Sequence, residues 1–215
     1  MMKAYDASYL YDAVRNLADA TDYAVNYRKI PIKEFFEYFT ISGIAKQFAD
    51  GNPKYTVGMS GMDMADAAIE KVGIKEKLRV KSPYSQDLQK SPEYWTGWIM
   101  AYWQWSTDRS FSEMLKFFPA EKIRDMYNVY HEVDEDKFVE DVEDIIAKRE
   151  AEMPTKLAHM RGINGLSQSE LAAKAEVNIR NIQQYEQRKK DIKKASVETV
   201  MRLAKALNCD IRDVI

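Results

Sequence analysis

A set of side chains near the end of the chain has the chemistry needed to recognise nucleobases. In the segment LSQSELAAKAEVNIRNIQQYE, at 166–186, Ile182 and Tyr185 suit the buried side of a helix. The side chains left on the outer side are Ile179, Arg180, Gln183 and Gln184. A guanidinium pairs with guanine, a carboxamide pairs with adenine, and an isoleucine contacts the methyl group of thymine. The segment therefore predicts a helix that reads double-stranded DNA.

Basic residues follow this helix directly. They are Arg188, Lys189, Lys190, Lys193 and Lys194. Such a cluster suits backbone phosphates, which position a protein on DNA without reading the sequence. An alternative is a decayed domain that only packs or dimerises. Because the exposed positions are polar or basic and not acidic, DNA binding is favoured over that alternative.

Capping signals define the helices that position these side chains. Ser167 and Glu170 form a capping box, which predicts a short helix over 168–175. Asn178 is a favourable N-cap for a second helix from 179 to about 187. Two short helices joined by such a tight turn form a helix-turn-helix unit, whose second helix lies in the major groove. A five-helix domain is completed by helices predicted at 155–163, after Ser196 and near 211–215.

Residues 155–215 resemble the Cro and phage-repressor type of helix-turn-helix domain, the XRE family with its lambda-repressor-like fold. The segments GLSQSELAAKAEV and IQQYEQRKKDI are similar to the common bacterial pattern of that family. The resemblance implies that Gln168 grips a phosphate and that Arg161 pairs with Glu186. Contacts to bases or to the neighbouring backbone are implied for Ile179, Arg180, Asn181, Gln183 and Gln184. The DNA-binding set that we predict also includes Asn178, Arg188, Lys189 and Lys190.

Two positions depart from the family pattern. Glu176 replaces the usual turn glycine, and a non-glycine residue held in the left-handed region costs roughly 1 to 2 kcal/mol. We expect either reduced stability or a turn of another conformation. Arg188 replaces the glycine common in the loop after the recognition helix, which adds a positive charge where a phosphate would lie.

The larger N-terminal part is predicted to be helical throughout, so the expected fold class is all-α. Its helices are expected at 6–27, 31–48, 62–72, after 93 through the tryptophans to 105, 110–118, 120–131 and 135–148, with a charged connection at 75–93. The run 132–152 carries ten acidic residues and ends at Met153-Pro154. We interpret it as a solvated helix face, with a DNA-mimicking or autoinhibitory segment as the alternative. The predicted domains are 1–150 and 151–215.

Charge differs between these two parts. Residues 151–215 hold 12 basic and 8 acidic side chains, a net charge of +4, whereas the remainder holds 20 and 26, a net charge of −6. The single cysteine, Cys209, excludes an internal disulfide framework and a cysteine-rich zinc site. No signal peptide or membrane-spanning segment is evident, which predicts a cytoplasmic location without membrane contact.

No catalytic motif is recognisable, so the sequence predicts no enzyme, cofactor or metal. The two histidines, His131 and His159, stand far apart in unrelated contexts. The segment GMSGMD, at 58–63, contains a glycine pair and a serine before a helix, but no strand precedes it. We therefore favour a helix-entry turn there over a phosphate-binding loop.

The segment YWTGWIMAYWQW, at 94–105, holds six aromatic residues in twelve. The stripe predicted to form core consists of Trp95, Trp98, Tyr102 and Trp105. Tyr94 and Trp103 lie off that stripe, so either a neighbouring helix or a protein partner covers them. These two are the candidate partner-binding residues.

Residues 8–131 resemble an α-helical region of bacterial regulators, mostly from Firmicutes, that carry this type of DNA-binding domain near small toxin-like genes. The resemblance implies an antitoxin whose N-terminal part neutralises a cognate toxin and whose C-terminal part represses its own operon. The expected assembly is a homodimer on a near-palindromic operator. The alternatives are a stand-alone regulator, whose N-terminal domain senses a small ligand or dimerises, and an enzyme fused to a DNA-binding domain.

Overall fold

The computed structural model describes residues 3–74 and 91–215, and these residues form helices and connections without any strand. The all-α prediction is therefore confirmed. Most of the predicted connection at 75–93 lies outside the described residues. The chain divides into two compact units, Met1–Glu143 and Asp144–Ile215, and the division falls within the helix Glu135–Glu152.

The N-terminal unit contains helices of very different lengths. In chain order they are Ala7–Tyr9 (3-10), Leu10–Asp22, Tyr23–Tyr27 (π), Ile32–Ile41, Ile44–Ala49, Pro53–Thr56, Gly61–Lys71, Pro92–Thr107, Phe111–Phe117, Ala120–Asp125 and Tyr127–Tyr130, followed by Glu135–Glu152. Three of them are named here: the central helix (Leu10–Asp22), the aromatic helix (Pro92–Thr107) and the acidic helix (Glu135–Glu152).

The central and aromatic helices form the main packing contact of this unit. Gly97 lies at their closest approach, where a Cβ atom would overlap with the Leu17 carbonyl oxygen and the Thr21 hydroxyl. Ser91 caps the aromatic helix, because its hydroxyl accepts a hydrogen bond from the Tyr94 amide at 2.9 Å. The small residue and the cap together fix where the aromatic side chains lie.

Two predicted helices are interrupted, which corrects the sequence interpretation. The helix expected at 31–48 breaks at Ser42, because Gly43 adopts the left-handed region with φ of +76° and starts a new helix. The helix expected at 120–131 is broken at Met126. The long first helix ends in a π-helical segment, Tyr23–Tyr27.

The acidic helix is more than a solvated face. Three of its carboxylates accept hydrogen bonds from the aromatic helix: Glu135 from Trp98 Nε1 at 2.9 Å, Asp136 from the Tyr102 hydroxyl at 2.7 Å, and Glu143 from Trp103 Nε1 at 2.7 Å. Arg109 also donates to both oxygens of Glu143. Acids placed in this way satisfy the polar atoms of large aromatic side chains.

The helices of the C-terminal unit follow the predicted order. They are Lys156–Ile163, Gln168–Ala175, Ile179–Glu186, Ile192–Lys194 (3-10), Val197–Leu207 and Ile211–Asp213 (3-10). Their buried faces meet in one core, which contains Leu157, Leu171, Ala175, Ile182, Tyr185, Leu203, Ala204, Ala206, Leu207 and Val214. This arrangement fits the expected lambda-repressor-like fold, with an additional 3-10 turn, Ile192–Lys194, in the basic loop that holds Arg188, Lys189, Lys190, Lys193 and Lys194.

Candidate nucleic-acid interface

The helix Ile179–Glu186, called the recognition helix below, has one buried and one exposed side. Ile182 and Tyr185 are 0% and 4% exposed and anchor the helix in the core. On the opposite side Arg180 and Gln184 are exposed, Asn181 and Gln183 are half-buried, and Ile179 is 39% exposed. The core anchors therefore present the polar side chains to solvent on one helix face.

The recognition helix begins at a side-chain cap. Asn178 Oδ1 accepts a hydrogen bond from the Arg180 amide at 2.8 Å. The amides at the start of a helix carry a partial positive charge, which suits a phosphate oxygen. The Asn178 side chain is therefore committed to the helix start, and its contribution to a DNA contact would come from the remaining amide group.

The helix Gln168–Ala175, called the scaffold helix below, packs against the recognition helix. Its predicted capping box is present: the Ser167 hydroxyl accepts from the Glu170 amide, and Glu170 accepts from the Ser167 amide at 2.7 Å. The turn that follows is left-handed at Glu176, with φ of +53°. A glutamate therefore occupies a backbone conformation that glycine adopts without steric cost.

A largely buried ion pair ties the helix Lys156–Ile163 to the recognition helix, as the resemblance implied. Arg161 donates to both carboxylate oxygens of Glu186, at 2.6 and 2.9 Å, and a further bond reaches the Leu166 carbonyl. The side chain of Glu186 is 6% exposed. Burial alone would raise its pKa, but hydrogen bonds from Arg161 and Gln168 outweigh burial and hold that pKa below its ordinary value.

Gln168 has a partner that the sequence did not reveal. Its Nε2 atom donates to Glu186 Oε2 at 2.7 Å. This bond fixes the orientation of the carboxamide at the start of the scaffold helix. A phosphate contact by Gln168 would therefore use a side chain that is already held in place.

The basic loop contains two adjacent exposed lysines, Lys189 and Lys190. Lys190 Nζ lies 3.4 Å from Asn181 Oδ1 and 5.5 Å from the centre of the Tyr185 ring. These contacts bring the loop beside the recognition helix. Lys189 is exposed, and its ammonium group suits a phosphate contact.

Arg188 is placed differently from the prediction. Its guanidinium donates to the carbonyl oxygens of Glu150, Ala151 and Met153, at 2.6, 3.3 and 2.7 Å. These carbonyls lie at the end of the acidic helix, where backbone acceptors lack partners within the helix and a cation is favourable. Arg188 therefore caps that helix in this structure, and a phosphate contact would have to replace these bonds. Nothing in the local sequence pattern indicates a contact over more than thirty residues.

The two candidate partner-binding residues differ in burial. Trp103 is 0% exposed, and its indole packs edge-on against Phe118 and Phe138. This corrects its assignment as a partner-binding residue, because neighbouring helices cover it completely. Tyr94 is half-buried and stacks on Trp98 at 6.4 Å. Burial, chiefly, raises the pKa of the Tyr94 phenol to about 12.

The predicted core stripe is also only partly correct. Trp95 and Trp105 are 8% and 5% exposed, whereas Trp98 and Tyr102 are half-buried at the edge of the unit. Trp103, which lies off the predicted stripe, is the most buried tryptophan among the described residues. Helices pack against the aromatic helix on more than one side, so a one-sided stripe underestimates the core.

The glycine-containing segment forms a helix-entry turn. Ser60 caps the helix Gly61–Lys71 by accepting from the Asp63 amide. A Cβ atom at Gly61 would overlap with the Asn16 carbonyl and the Ala20 amide. Close packing against the central helix explains this glycine. The segment also borders an open cavity of about 470 Å³.

The described residues contain neither a group of metal ligands nor a helix that could span a membrane. Within 3–74 and 91–215, no group of three or more His, Cys, Asp or Glu side chains could hold a metal ion. The helices in these ranges are all too short or too polar to cross a lipid bilayer.

Comparison with known protein families gives a match in the C-terminal part of the chain. The family model described as Helix-turn-helix matches residues 157–214, within the C-terminal unit. No curated protein and no solved structure matches the chain significantly. The family match covers the scaffold helix, the turn and the recognition helix, and it supports an XRE-type, DNA-binding transcription regulator.

Proposed function

We propose that this protein is a sequence-specific transcriptional repressor that binds a near-palindromic operator in the cytoplasm. The observation that carries the proposal is the exposed face of the recognition helix. Arg180, Gln183 and Gln184 lie on that face, while Ile182 and Tyr185 hold the opposite face in the core. An α-helix fits the major groove, where these side chains can distinguish the base pairs.

The phosphate contacts are proposed for the groups around this face. Gln168 at the start of the scaffold helix, together with Lys189 and Lys190 in the basic loop, would contact the backbone on either side of the groove. Asn178 and Asn181 would contribute amide groups near the start of the recognition helix. Such contacts set the position of the helix but do not read sequence.

We propose a homodimer as the binding species. Two recognition helices would enter successive major grooves, with half-sites centred about 34–36 Å apart, which is one turn of DNA. A two-fold symmetric protein requires a two-fold symmetric site. A change of about five base pairs in half-site spacing would rotate one half-site to the far side of the duplex and abolish high-affinity binding.

For the N-terminal unit we propose an antitoxin role, in which this unit binds and neutralises a toxin encoded beside it. The support is the resemblance of residues 8–131 to regulators found near small toxin-like genes. The negative charge of this part of the chain suits a basic partner surface. A second candidate, a regulator whose N-terminal unit senses a small ligand, is favoured by a cavity in that unit lined by aromatic rings.

The test is a titration of the full chain against the DNA upstream of its own gene and against a scrambled duplex, at two salt concentrations. Each titration is repeated with the product of the adjacent gene. We expect tighter binding to the upstream DNA, with the preference retained at the higher salt, because base contacts are less salt-dependent than phosphate contacts.

The outcomes separate the proposals. A change of specific binding on addition of the adjacent product supports the antitoxin role. Specific binding that is indifferent to that product supports a stand-alone regulator. No preference for the upstream DNA, with or without the product, would contradict the repressor and leave the helix-turn-helix domain a packing or dimerisation module.

A further inference from the structure

An open cavity of about 470 Å³ is bordered by the central helix and by the segment that leads into the helix Gly61–Lys71. The central helix contributes three carboxylates to its wall, those of Asp12, Asp19 and Asp22. Asp12 and Asp19 are seven residues apart, which is close to two helical turns, so they share one face about 10 Å apart along the axis. The cavity falls within the range of about 300–1,000 Å³ that is usual for small-molecule sites.

The carboxylates of Asp19 and Asp22 keep free acceptor capacity. Asp22 Oδ1 accepts hydrogen bonds from Ser91 and Asn26, whereas its Oδ2 accepts none from the described residues. Arg15 Nε lies 3.8 Å from Asp19 Oδ2, which is beyond hydrogen-bonding distance. Burial raises the pKa of the Asp19 carboxyl, Arg15 opposes this rise without offsetting it, and Asp22 adds to it. The ionised Asp19 is therefore short of stabilising partners, which a bound cation would supply.

A buried amide also lines this cavity. Asn16 is 8% exposed, and its Nδ2 atom donates to the Tyr55 carbonyl oxygen at 2.7 Å. Its Oδ1 atom accepts no hydrogen bond within the part of the chain that the structure describes, although buried acceptors are normally satisfied. The bond to Tyr55 fixes the carboxamide in place. Asn16 Oδ1 is therefore an oriented acceptor for a donor bound in the cavity.

The cavity lining also contains apolar side chains. They come from the segment before and at the start of the helix Gly61–Lys71, and they are Val57, Met59 and Met62. A Cβ atom at Gly61 would overlap with the Asn16 carbonyl oxygen, so this glycine lets the segment lie directly against the central helix. Valine and the adaptable side chain of methionine gain free energy from contact with alkyl groups. The cavity therefore combines anionic and apolar surfaces.

We infer that this cavity binds a linear polyamine, a compound whose ammonium groups are joined by short alkyl chains. An ammonium group has hydrogen-bond donors and no acceptor, which suits the carboxylates of the central helix and Asn16 Oδ1. The methylene groups between the charges would pack against Val57, Met59 and Met62. This cavity is a different one from the aromatic cavity named above, and the inference does not depend on DNA binding.

The test measures binding of spermidine to the full chain by isothermal titration calorimetry. It is done at about 0.15 M salt, where the Debye length is about 8 Å and attraction between distant charges is screened. The comparison ligands are n-butylamine, which has one ammonium group, and Mg²⁺, which has two charges but no alkyl chain. We expect spermidine to bind at least about tenfold more tightly than either, because only spermidine reaches several carboxylates and the apolar side chains together.

Matched variants locate the site. Asp19→Asn removes a charge from the cavity wall at nearly constant size, and we expect roughly tenfold weaker spermidine binding. Glu140→Gln removes the charge of an exposed carboxylate on the acidic helix, outside this cavity, and it should leave spermidine binding unchanged. Val57→Thr keeps the shape of the side chain but makes it polar. It should weaken spermidine binding and leave Mg²⁺ binding unchanged.

Three results would overturn the inference: no heat with spermidine at millimolar concentrations, equal affinity for spermidine and Mg²⁺, or full affinity in Asp19→Asn. Equal weakening in Asp19→Asn and Glu140→Gln would also contradict it, because it would identify diffuse attraction to the acidic surface. If Asp19→Asn fails to fold, Asp12→Asn provides the same test at an exposed position of the cavity wall. Loss of operator binding in the DNA titration would leave the spermidine result unaffected.

Discussion

Arg180 and Lys189 carry the same charge, but we expect them to act differently on DNA. Arg180 projects from the exposed face of the recognition helix, whereas Lys189 lies in the basic loop. Arg180→Ala should weaken the binding free energy for the operator by about 1 to 3 kcal/mol and reduce the preference for the operator over other sequences. Lys189→Ala should weaken binding to all duplexes alike. It should also reduce the slope of log K against log salt concentration by about one.

The measurement is fluorescence anisotropy on operator and scrambled duplexes across a series of salt concentrations. Lys174→Ala, on the scaffold helix, is a control for the loss of one exposed positive charge elsewhere. Equal losses on both duplexes from Arg180→Ala would reject a base-reading role for this arginine.

Glu186 makes the stability of the DNA-binding domain pH-dependent. Its folded pKa is lowered by Arg161 and Gln168 against the opposing effect of burial, from an ordinary value of 4.5. A lowered folded pKa gives stability above the ordinary value, and that stability is lost as the pH falls through the folded pKa. In urea unfolding of the full chain, Glu186→Gln should therefore have a lower free energy of unfolding than wild type at pH 7. The difference between the two free energies should narrow below pH 4.5.

Glu198→Gln, at a mostly exposed carboxylate of a neighbouring helix, is the control for this experiment. An exposed ion pair contributes little to stability, so its variant should follow the wild type closely. A gap between Glu186→Gln and wild type that does not narrow at low pH would show that the glutamate acts through packing alone.

Residue-level interpretation of the sequence succeeded where contacts are local or follow a known pattern. Ser167, Asn178 and Ser196 cap the helices that their positions predict. It did not reveal the bonds of Arg188 to the end of the acidic helix or the hydrogen bond of the Trp103 indole to Glu143, whose partners lie 35 or more residues away in the chain. The sequence left open whether a neighbouring helix or a partner covers Trp103, and only the tertiary packing shows that it is buried.

At the scale of elements, the turn between the scaffold and recognition helices stores strain at Glu176, whose φ is +53°. Glycine adopts this region without steric cost, so Glu176→Gly should stabilise the domain by about 1 kcal/mol. The ion pair lost with Arg202 is long, at 3.7 Å, and exposed, so it offsets little of the gain.

Chemical denaturation measures this gain, and Asn208→Gly provides the comparison. Asn208 has a similar φ of +51° at a helix end, but asparagine tolerates the left-handed region better than glutamate. Asn208→Gly should therefore stabilise the domain less than Glu176→Gly does. A destabilised Glu176→Gly would mean that the Arg202 contacts outweigh the backbone strain.

The contact between the central and aromatic helices depends on Gly97. An added methyl group would overlap with backbone atoms of Leu17 and Ala18, which cannot move without separating the helices. We expect Gly97→Ala to destabilise by about 1 to 3 kcal/mol. Gly162→Ala is the matched control, because that helical glycine has nothing within 4 Å.

Gly162→Ala should stabilise by roughly 0.5–1 kcal/mol, since alanine favours helix over glycine. Thermal unfolding followed by circular dichroism measures both variants. If the two substitutions shift the melting temperature in the same direction, the proposed close approach at Gly97 is wrong.

The elements themselves were largely predictable, and their breaks were less so. The apolar spacing in 31–48 continues across Ser42-Gly43, so periodicity alone predicts one helix where the left-handed Gly43 ends it. The acidic helix was predicted from spacing, but its hydrogen bonds to Trp98, Tyr102 and Trp103 were not. Charge composition indicates a solvated face, and it cannot show which carboxylates meet indole and phenol donors.

For the whole molecule, the opposite charges of the two parts should govern its non-specific DNA affinity. The full chain has a net charge of −2, whereas residues 144–215 hold 14 basic and 10 acidic side chains, a net charge of +4. This fragment is a compact unit with its own apolar core. Long-range repulsion between the acidic part and phosphates acts on the full chain and is absent from the fragment.

We therefore expect the fragment 144–215 to bind a scrambled duplex more tightly than the full chain at low salt, with circular dichroism confirming that it is folded. The difference should shrink as salt rises, because the Debye length falls from about 30 Å at 0.01 M to about 8 Å at 0.15 M. Anisotropy titrations of both proteins across this range measure it. A constant difference at all salt concentrations would point to a direct contact that blocks the interface, and a weaker-binding fragment would contradict repulsion by the acidic part.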